Sequence, residues 1–365
     1  MEIIKKIRGA FEAGSLAAGE VPAEDLVACV RLEIQTNHLT YLEKQCNDVM
    51  GLLDDLEAAS TGAREDAGRM RLFLIGLEMC LQTVSESVLS LVSREYWEMM
   101  HAKELPDPEI EEVIDYVAGY GQVRLLPYAF VDDYLNKEQP VDFDPDCGMY
   151  YVMHKGKRMY FPPRMDAQRV AEYYRVILAE QDRRSPHCYD KEGYGVRRGD
   201  VLADCGGAEG YFVLEHIDII SKAYIFDADR EWISAMERTF APYGGKVEIC
   251  YGYVGDEDDG TEHIMLDSAL KGVRVSYIKM DIEGYEKGAL RGCESLINES
   301  DDLRMAVCSY HNREDYDWIE GFFWAHGMES RHSHGYMCPD WCSDGLLRAE
   351  LRRGVVFGRK GAVKA

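Results

Sequence analysis

A glycine-rich turn and an acid-and-lysine run carry most of the chemistry this sequence can do. The turn is Asp204-Cys205-Gly206-Gly207-Ala208-Glu209-Gly210. It follows the short apolar run 200–204 and precedes Tyr211–Ile219, which reads as a helix. Gly206 and Gly210 fit the outer positions of a G-x-G-x-x-G/A-like turn, where glycine permits a tight bend and lets a ligand approach the backbone. Asp227 ends the next run, Ala223-Tyr224-Ile225-Phe226. An acid at the end of the second strand, about 20 residues beyond such a loop, is where a ribose diol binds. Asp204, two positions before Gly206, would crowd a pyrophosphate with like charge. It suits S-adenosylmethionine, which carries no phosphate and whose amino and sulfonium groups are cationic. Gly206, Gly207, Ala208, Gly210, Asp227, Ala228 and Val254, with Asp204 and Asp281, are therefore the expected cofactor-binding residues.

The second run is Lys279-Met280-Asp281-Ile282-Glu283-Gly284-Tyr285-Glu286, reached from the apolar stretch Val275–Ile278. In open α/β sheets ligands bind at the carboxyl ends of strands, which brings these side chains to the expected site. Asp281 could hold an amino group, bind a divalent cation or act as a base. Lys279 could be a desolvated base, or it and Glu286 could form an ion pair that orders the loop. A further strand, Met305–Tyr310, ends at His311-Asn312. A histidine there titrates near neutral pH and faces the cofactor, as a methyl-transfer base would. Asp281, His311 and Lys279 are the catalytic candidates; Asp281, His311 and Asn312 are the ligand set if Mg²⁺ is used. His187, Tyr189 and Glu283 are expected near the substrate. His332-Ser333-His334 with Cys338 and Cys342 has metal-like residue types, but the spacing matches no familiar zinc site and reads as a hairpin with free thiols.

The elements that must position these groups fall into three zones. Residues 1–105 read as helical: Pro22, Glu24 and Asp25 mark a helix start, and Ala67, Met70, Leu74, Leu77, Leu81, Val84, Val88 and Leu91 follow a heptad seam. The seam suits either a coiled-coil hairpin forming a homodimer interface or ordinary packing inside one subunit. Residues 106–197 are mixed. Met149–His154 and Arg158–Phe161 flank Lys155-Gly156-Lys157 as a hairpin, an amphipathic helix runs through Val170–Leu178, and the stretch around His187 is expected to fold over the pocket as a lid. Residues 198–365 alternate strands, at 200–204, 222–226, 246–250, 275–280, 304–310 and 354–358, with helical stretches, which means βαβ units and a mainly parallel sheet.

Bulk properties narrow the partners. The chain has 365 residues, 41 of them Lys or Arg against 66 Asp or Glu, for a formal net charge of −25. So negative a surface disfavours nucleic acid and anionic membranes as partners. No apolar run long enough for a signal peptide or a membrane span is expected, and the 11 scattered cysteines fit reduced thiols in a cytoplasmic protein.

The third zone resembles the FkbM family of S-adenosylmethionine-dependent methyltransferases. The resemblance rests on the Asp204–Gly210 loop, Ile225-Phe226-Asp227, Leu266-Asp267-Ser268, the Tyr277–Glu286 run and Leu290-Arg291-Gly292. The segment 180–189, with Tyr310-His311-Asn312, looks like a bacterial subgroup. The likeness covers roughly 180–360. It implies a Rossmann-like class I methyltransferase sheet with helices on both faces, beside the N-terminal helical region. It also implies methyl transfer to oxygen, often of a sugar or small-metabolite hydroxyl. Asp227-Ala228 stands where the family usually has Glu-Pro; aspartate is shorter but keeps both acceptor oxygens. Two alternatives remain: an NAD-dependent oxidoreductase on a Rossmann domain, and a non-catalytic scaffold that only binds cofactor.

Overall fold

The computed structural model describes residues 107–120, 124–339 and 351–361. The N-terminal heptad seam and Cys342 lie outside them. Two compact units divide the chain: 1–127 with 340–350, and 128–339 with 351–365. In the first, helix α1 (Pro108–Tyr120) is described. Asp107 caps it by accepting from Glu109 N at 2.8 Å, proline takes the first helical position, and Glu109 and Glu111 complement the helix dipole.

The second unit opens with the short helix α2 (Asp132–Leu135) and an antiparallel sheet of β1 (Asp142–Asp144), β2 (Met149–His154) and β3 (Lys157–Tyr160). The expected hairpin is there, turned through Lys155 and Gly156, both at positive φ. Helix α3 (Ala167–Glu180) follows, capped by the Asp166 carboxylate, which accepts from Arg169 N.

The main sheet is built from β4 (Val201–Cys205), β5 (Lys222–Asp227), β6 (Val247–Tyr251), β9 (Tyr277–Met280), β10 (Leu303–Cys308), β11 (Glu329–His332) and β12 (Val355–Lys360). A small parallel pair, β7 (Tyr253–Val254) and β8 (His263–Ile264), lies in the loops that follow β6. The helices of this part are α4 (Tyr211–His216), α5 (Arg230–Phe240), α6 (Leu266–Ala269), α7 (Glu286–Arg291), α8 (Glu294–Glu299) and α9 (Asp315–Ala325). Strand order across the sheet is β11-β12-β10-β9-β4-β5-β6; β12 runs antiparallel to both neighbours and the other pairs are parallel. This is the expected Rossmann-like sheet. The six strands read from sequence coincide with β4, β5, β6, β9, β10 and β12 to within a few residues. The edge strand β11 was not anticipated, because Glu-Ser-Arg-His has no apolar alternation to reveal it.

The chain leaves β4 toward β5 and β6, then crosses to β9 and β10 on the other side. The topological switch therefore lies between β4 and β9, where ligands bind in such sheets. Period-two alternation sorts the side chains there. Ala203, Cys205, Ile278, Met280, Met305 and Val307 pack into one core with Leu290, Ile319 and Phe323 from the helices. Leu202, Asp204, Tyr277, Lys279 and Cys308 take the opposite face; Asp204 and Lys279 are direct register partners. At the far end of that face Arg304 is fully buried, 2.7 Å from Asp200 Oδ1, with its guanidinium over the Tyr277 ring. Among the described residues no helix is long and apolar enough to cross a membrane.

Candidate functional site

A cavity of about 1250 Å³ opens over the carboxyl ends of β4, β5 and β9. Its floor is the glycine loop. Gly206 has φ +78°, and a Cβ there would meet Asp281 O at 1.8 Å; at Gly207 it would strike Ile225 Cγ2 at 2.1 Å. Only glycine lets β4 turn away so close to β9 and β5. The loop also satisfies itself. Gly206 N and Gly207 N both donate to Phe226 O, at 2.9 and 3.2 Å, and Gly210 N donates to Gly207 O at 2.7 Å. Ala208 N donates to Asp227 Oδ2 at 2.8 Å. The other Asp227 oxygen accepts from Asp229 N at 2.7 Å, so each oxygen keeps further accepting capacity at a residue that lines the cavity.

Asp204 and Lys279 form a buried pair, Nζ to Oδ1 at 3.1 Å, with Asp204 1% exposed. Lys279 also donates to Gly206 O and lies 5.2 Å from the Tyr189 ring centre. Burial works against its charge, but the carboxylates of Asp204 and Asp281 outweigh this and hold the ammonium above its ordinary pKa. The ion pair read for Lys279 is thus made with Asp204 rather than Glu286. Glu286, also fully buried, instead orders the following loop by accepting from Ile282 N at 2.9 Å.

Asp281 is the hub. Its Oδ2 accepts from Tyr189 OH at 2.5 Å and lies 3.4 Å from His187 Nε2; its Oδ1 lies 3.5 Å from His311 Nε2. Burial would raise its pKa, but the His187 hydrogen bond and the charges of His187, Lys279 and His311 hold it far below the carboxylate range. His311 sits behind it, outside the cavity lining, with Nδ1 3.1 Å from Glu286 Oε1. Burial disfavours a charged ring there; Glu286 and Asp281 overcome it and raise the pKa.

The expected Mg²⁺ set is not assembled as drawn. Asp281 and His311 meet, but Asn312 Nδ2 is turned to Asp315 Oδ2 at 3.1 Å and Gly284 O at 3.4 Å. Glu286 takes its place beside them. The amide is drawn away because Asp315, buried at the start of α9, also accepts from Asn312 N at 2.8 Å. Glu283 projects into solvent, with an 89% exposed side chain, at the cavity rim.

His187 and Tyr189 belong to a packed wall of the cavity. Tyr277 OH donates to Tyr189 O at 2.8 Å, and Gln181 bridges the segment by accepting from Tyr189 N and donating to His187 O. Both residues are buried, so the stretch expected as a lid is held against β9. Ala228 and Val254 line the cavity. Sequence reasoning missed Glu180, Glu209, Tyr173 and Tyr251. Glu180 ends α3, and burial raises its pKa. Glu209 lies inside the glycine loop, where burial pushes its carboxyl up to about 7. An acid within such a loop was the available signal. Tyr251 stacks under Arg230 at 3.8 Å and had no motif to mark it.

Residues 216–338 match the family model described as the methyltransferase FkbM domain, starting just after the glycine loop. No curated protein matches the chain. Among solved structures, it is similar to a methyltransferase FkbM from Methylobacillus flagellatus KT, at 15% identity over 53% of this chain and 55% of that one, TM-score 0.36. This chain thus spans about half the length of that protein. It is also similar to a precorrin-6y C5,15-methyltransferase from Geobacter metallireducens GS-15, at 8% identity over 59% and 98% of the two chains, TM-score 0.34. An rRNA methylase from Streptococcus thermophilus aligns at 12% identity over 46% and 90%, TM-score 0.32. Residues 216–338, within the α/β unit, are thus similar to the methyltransferase FkbM domain.

Proposed function

We propose that the α/β unit moves a methyl group from S-adenosylmethionine to a hydroxyl oxygen of a saccharide or small metabolite. The observation that carries the choice of methyl donor is the self-satisfied glycine loop. Dinucleotide-binding loops hold a pyrophosphate on free backbone N–H groups. Here Gly206, Gly207, Ala208 and Gly210 have spent theirs within the fold. Asp204, Glu209 and Asp227 line the same space, Lys279 is already paired, and Arg230 lies over Tyr251. A phosphate would meet uncompensated carboxylates. Cationic amino and sulfonium groups would be stabilised, and both Asp204 oxygens, buried without a well-aligned hydrogen bond, can still accept. The charge of Asp204 is itself balanced by Lys279, so the net negative field comes from Asp227 with Glu209 beside it.

Bound there, S-adenosylmethionine supplies an electrophilic methyl on a sulfonium. Asp227 would accept from the ribose hydroxyls, and Val254 would pack beside the adenine. The protein's work is positioning: the rigid loop and the packed wall hold donor and acceptor in line and keep water out. Isothermal calorimetry with S-adenosylmethionine and with NAD separates this reading from a dehydrogenase. Tight NAD binding without S-adenosylmethionine binding would refute it. A labelled-methyl screen against glycosides and metabolites tests the acceptor class.

A further inference from the structure

Where β9 and β10 end, beside the segment that follows α3, three side chains stand at a spacing unlike that of a hydrogen-bonded core. His187 Nε2 lies 3.4 Å from Asp281 Oδ2 and 3.7 Å from Cys308 Sγ. One donor atom of each residue falls within 4.8 Å of the other two. A good N–H···O hydrogen bond spans about 2.7–3.2 Å, so the contact with Asp281 is long for one. Donor atoms around a tetrahedral zinc ion stand about 3.3–3.8 Å apart, because each is about 2.0–2.3 Å from the metal. Both distances from Nε2 fall in that range.

Three parts of the fold bring these atoms together. Met280 and Val307 are register partners at the ends of β9 and β10, so Asp281 and Cys308 follow them side by side. His187 is held beside the pair by Gln181, which donates to its carbonyl oxygen. His187 and Cys308 are buried, and His187 and Asp281 line the cavity, so the cluster lies in the cavity wall. A divalent ion there meets one carboxylate and one thiolate, whose charges cancel its own, as burial in a low dielectric demands. Lys279 adds no net charge, because Asp204 balances it.

The groups around the three side chains are those a metal site needs. Ligating imidazoles turn their second nitrogen toward an acid, and ligating carboxylates accept further hydrogen bonds. His187 Nδ1 faces Glu180 Oε2 at 3.9 Å, and the Tyr189 hydroxyl donates to Asp281 Oδ2 at 2.5 Å. Three protein ligands leave a fourth position for water or a substrate oxygen, the pattern of reactive zinc sites. The neighbouring group of Asp281, Glu286 and His311 is not equivalent. There the ring meets Asp281 through Nε2, at 3.5 Å, and Glu286 through Nδ1, at 3.1 Å. The two ring nitrogens point apart, so no single ion takes the ring and both acids.

We propose that His187 Nε2, Asp281 Oδ2 and Cys308 Sγ bind one divalent ion of the zinc class in the cavity wall. Thiolate and imidazole favour zinc over magnesium, which prefers oxygen ligands, so this ion differs in kind from the Mg²⁺ expected from sequence. On binding, the Cys308 thiol releases its proton to solvent. One bond forms to each of nitrogen, oxygen and sulfur, and no oxidation state changes. The ion ties the segment 187–189 to the ends of β9 and β10. The proposal goes beyond the methyl-donor reading and does not rest on it.

The test uses the full chain, stripped with EDTA under reducing conditions and titrated with Co²⁺ as a spectroscopic substitute for zinc. One equivalent is expected to give a sulfur-to-cobalt charge-transfer band in the near ultraviolet and the intense visible bands of a four-coordinate ion. Zn²⁺ is expected to displace the cobalt and bleach both, and an excess of Mg²⁺ to leave them unchanged. C308S is expected to abolish the charge-transfer band. H187Q and D281N are expected to weaken cobalt binding about 10-fold or more, while C250S, which alters a half-buried thiol on β6, keeps the parent spectrum. Zinc-edge X-ray absorption of the parent loaded with one equivalent needs no variant to fold. It is expected to show one sulfur at about 2.3 Å and two or three nitrogen or oxygen atoms at about 2.0 Å. No binding of either metal, a band that survives in C308S, displacement by Mg²⁺, or a zinc shell with no sulfur or with more than one overturns the proposal. Any of these results leaves the methyl-donor reading to its own calorimetric test.

Discussion

Replacing Lys279 by methionine tests whether this lysine serves the fold or the chemistry. The substitution keeps the apolar stem and removes the ammonium that faces Asp204 at 3.1 Å. Both side chains are almost fully buried, so solvent screens the loss little. Removing one partner of a buried ion pair costs about 3–5 kcal/mol, because the remaining charge is left without compensation. For a unit of roughly 200 residues each kcal/mol shifts Tm by about 2–4 °C, so K279M should melt about 6–20 °C lower in calorimetry. Asp204 would then hold its proton to still higher pH. A carboxyl whose pKa is raised by folding contributes stability at low pH that is lost as pH rises through that value, so the deficit should grow from pH 5 to pH 8. The double variant D204L/K279M removes both charges and should recover most of the loss, since an apolar pair replaces a buried ion pair at little cost. If K279M melts within about 2 °C of the parent at pH 8 and loses only turnover, the lysine acts on the reactants and the reasoning from its ion pair is wrong.

Gly206→Ala should destabilise the unit by about 1–2 kcal/mol for the left-handed backbone alone, before the close approach to Asp281 O is counted, and should abolish measurable S-adenosylmethionine binding in calorimetry. Asp227→Ala removes charge-assisted hydrogen bonds and should weaken that binding about 10- to 100-fold, read as Kd, with circular dichroism unchanged. Glu209→Gln should flatten part of the pH dependence of stability. Folding raises this carboxyl from 4.5 to about 7, so stability present below 4.5 is lost as pH rises through 7, and urea midpoints at pH 5 and 8 should lie closer together in E209Q.

Much of this architecture was legible because the sheet is mostly parallel and buried on both faces. Its strands read as continuous apolar runs between glycine-rich turns, as at β4 and β9. The edge strand β11 and the short pair β7–β8 were hidden, since polar or two-residue strands leave no periodic signal. The glycine-loop end of the cavity was readable from Gly206, Gly210 and Asp227, because close backbone approach demands glycine and spacing along a βαβ unit is nearly fixed. The end around Asp281 was less so. His311 sits at a strand end, where a base was expected, yet its ring turns toward Glu286. His187 lies far from β9 in sequence and meets Asp281 through a tertiary contact that no local pattern encodes. Asn312 had the right type and place, and Asp315, three residues on, took its amide.

The glycine loop has a thermodynamic consequence as well. Its amides are tied to Phe226, Asp227 and Gly207 by the fold itself, so no ligand is needed to order it. Many nucleotide loops become ordered as they close on phosphate, and part of the gross binding free energy is consumed in doing so. Here that entropy has been lost already, during folding, and the stability of the sheet has borne it. A ligand reaching this loop meets backbone groups already in place, so less of its binding free energy is consumed in ordering them.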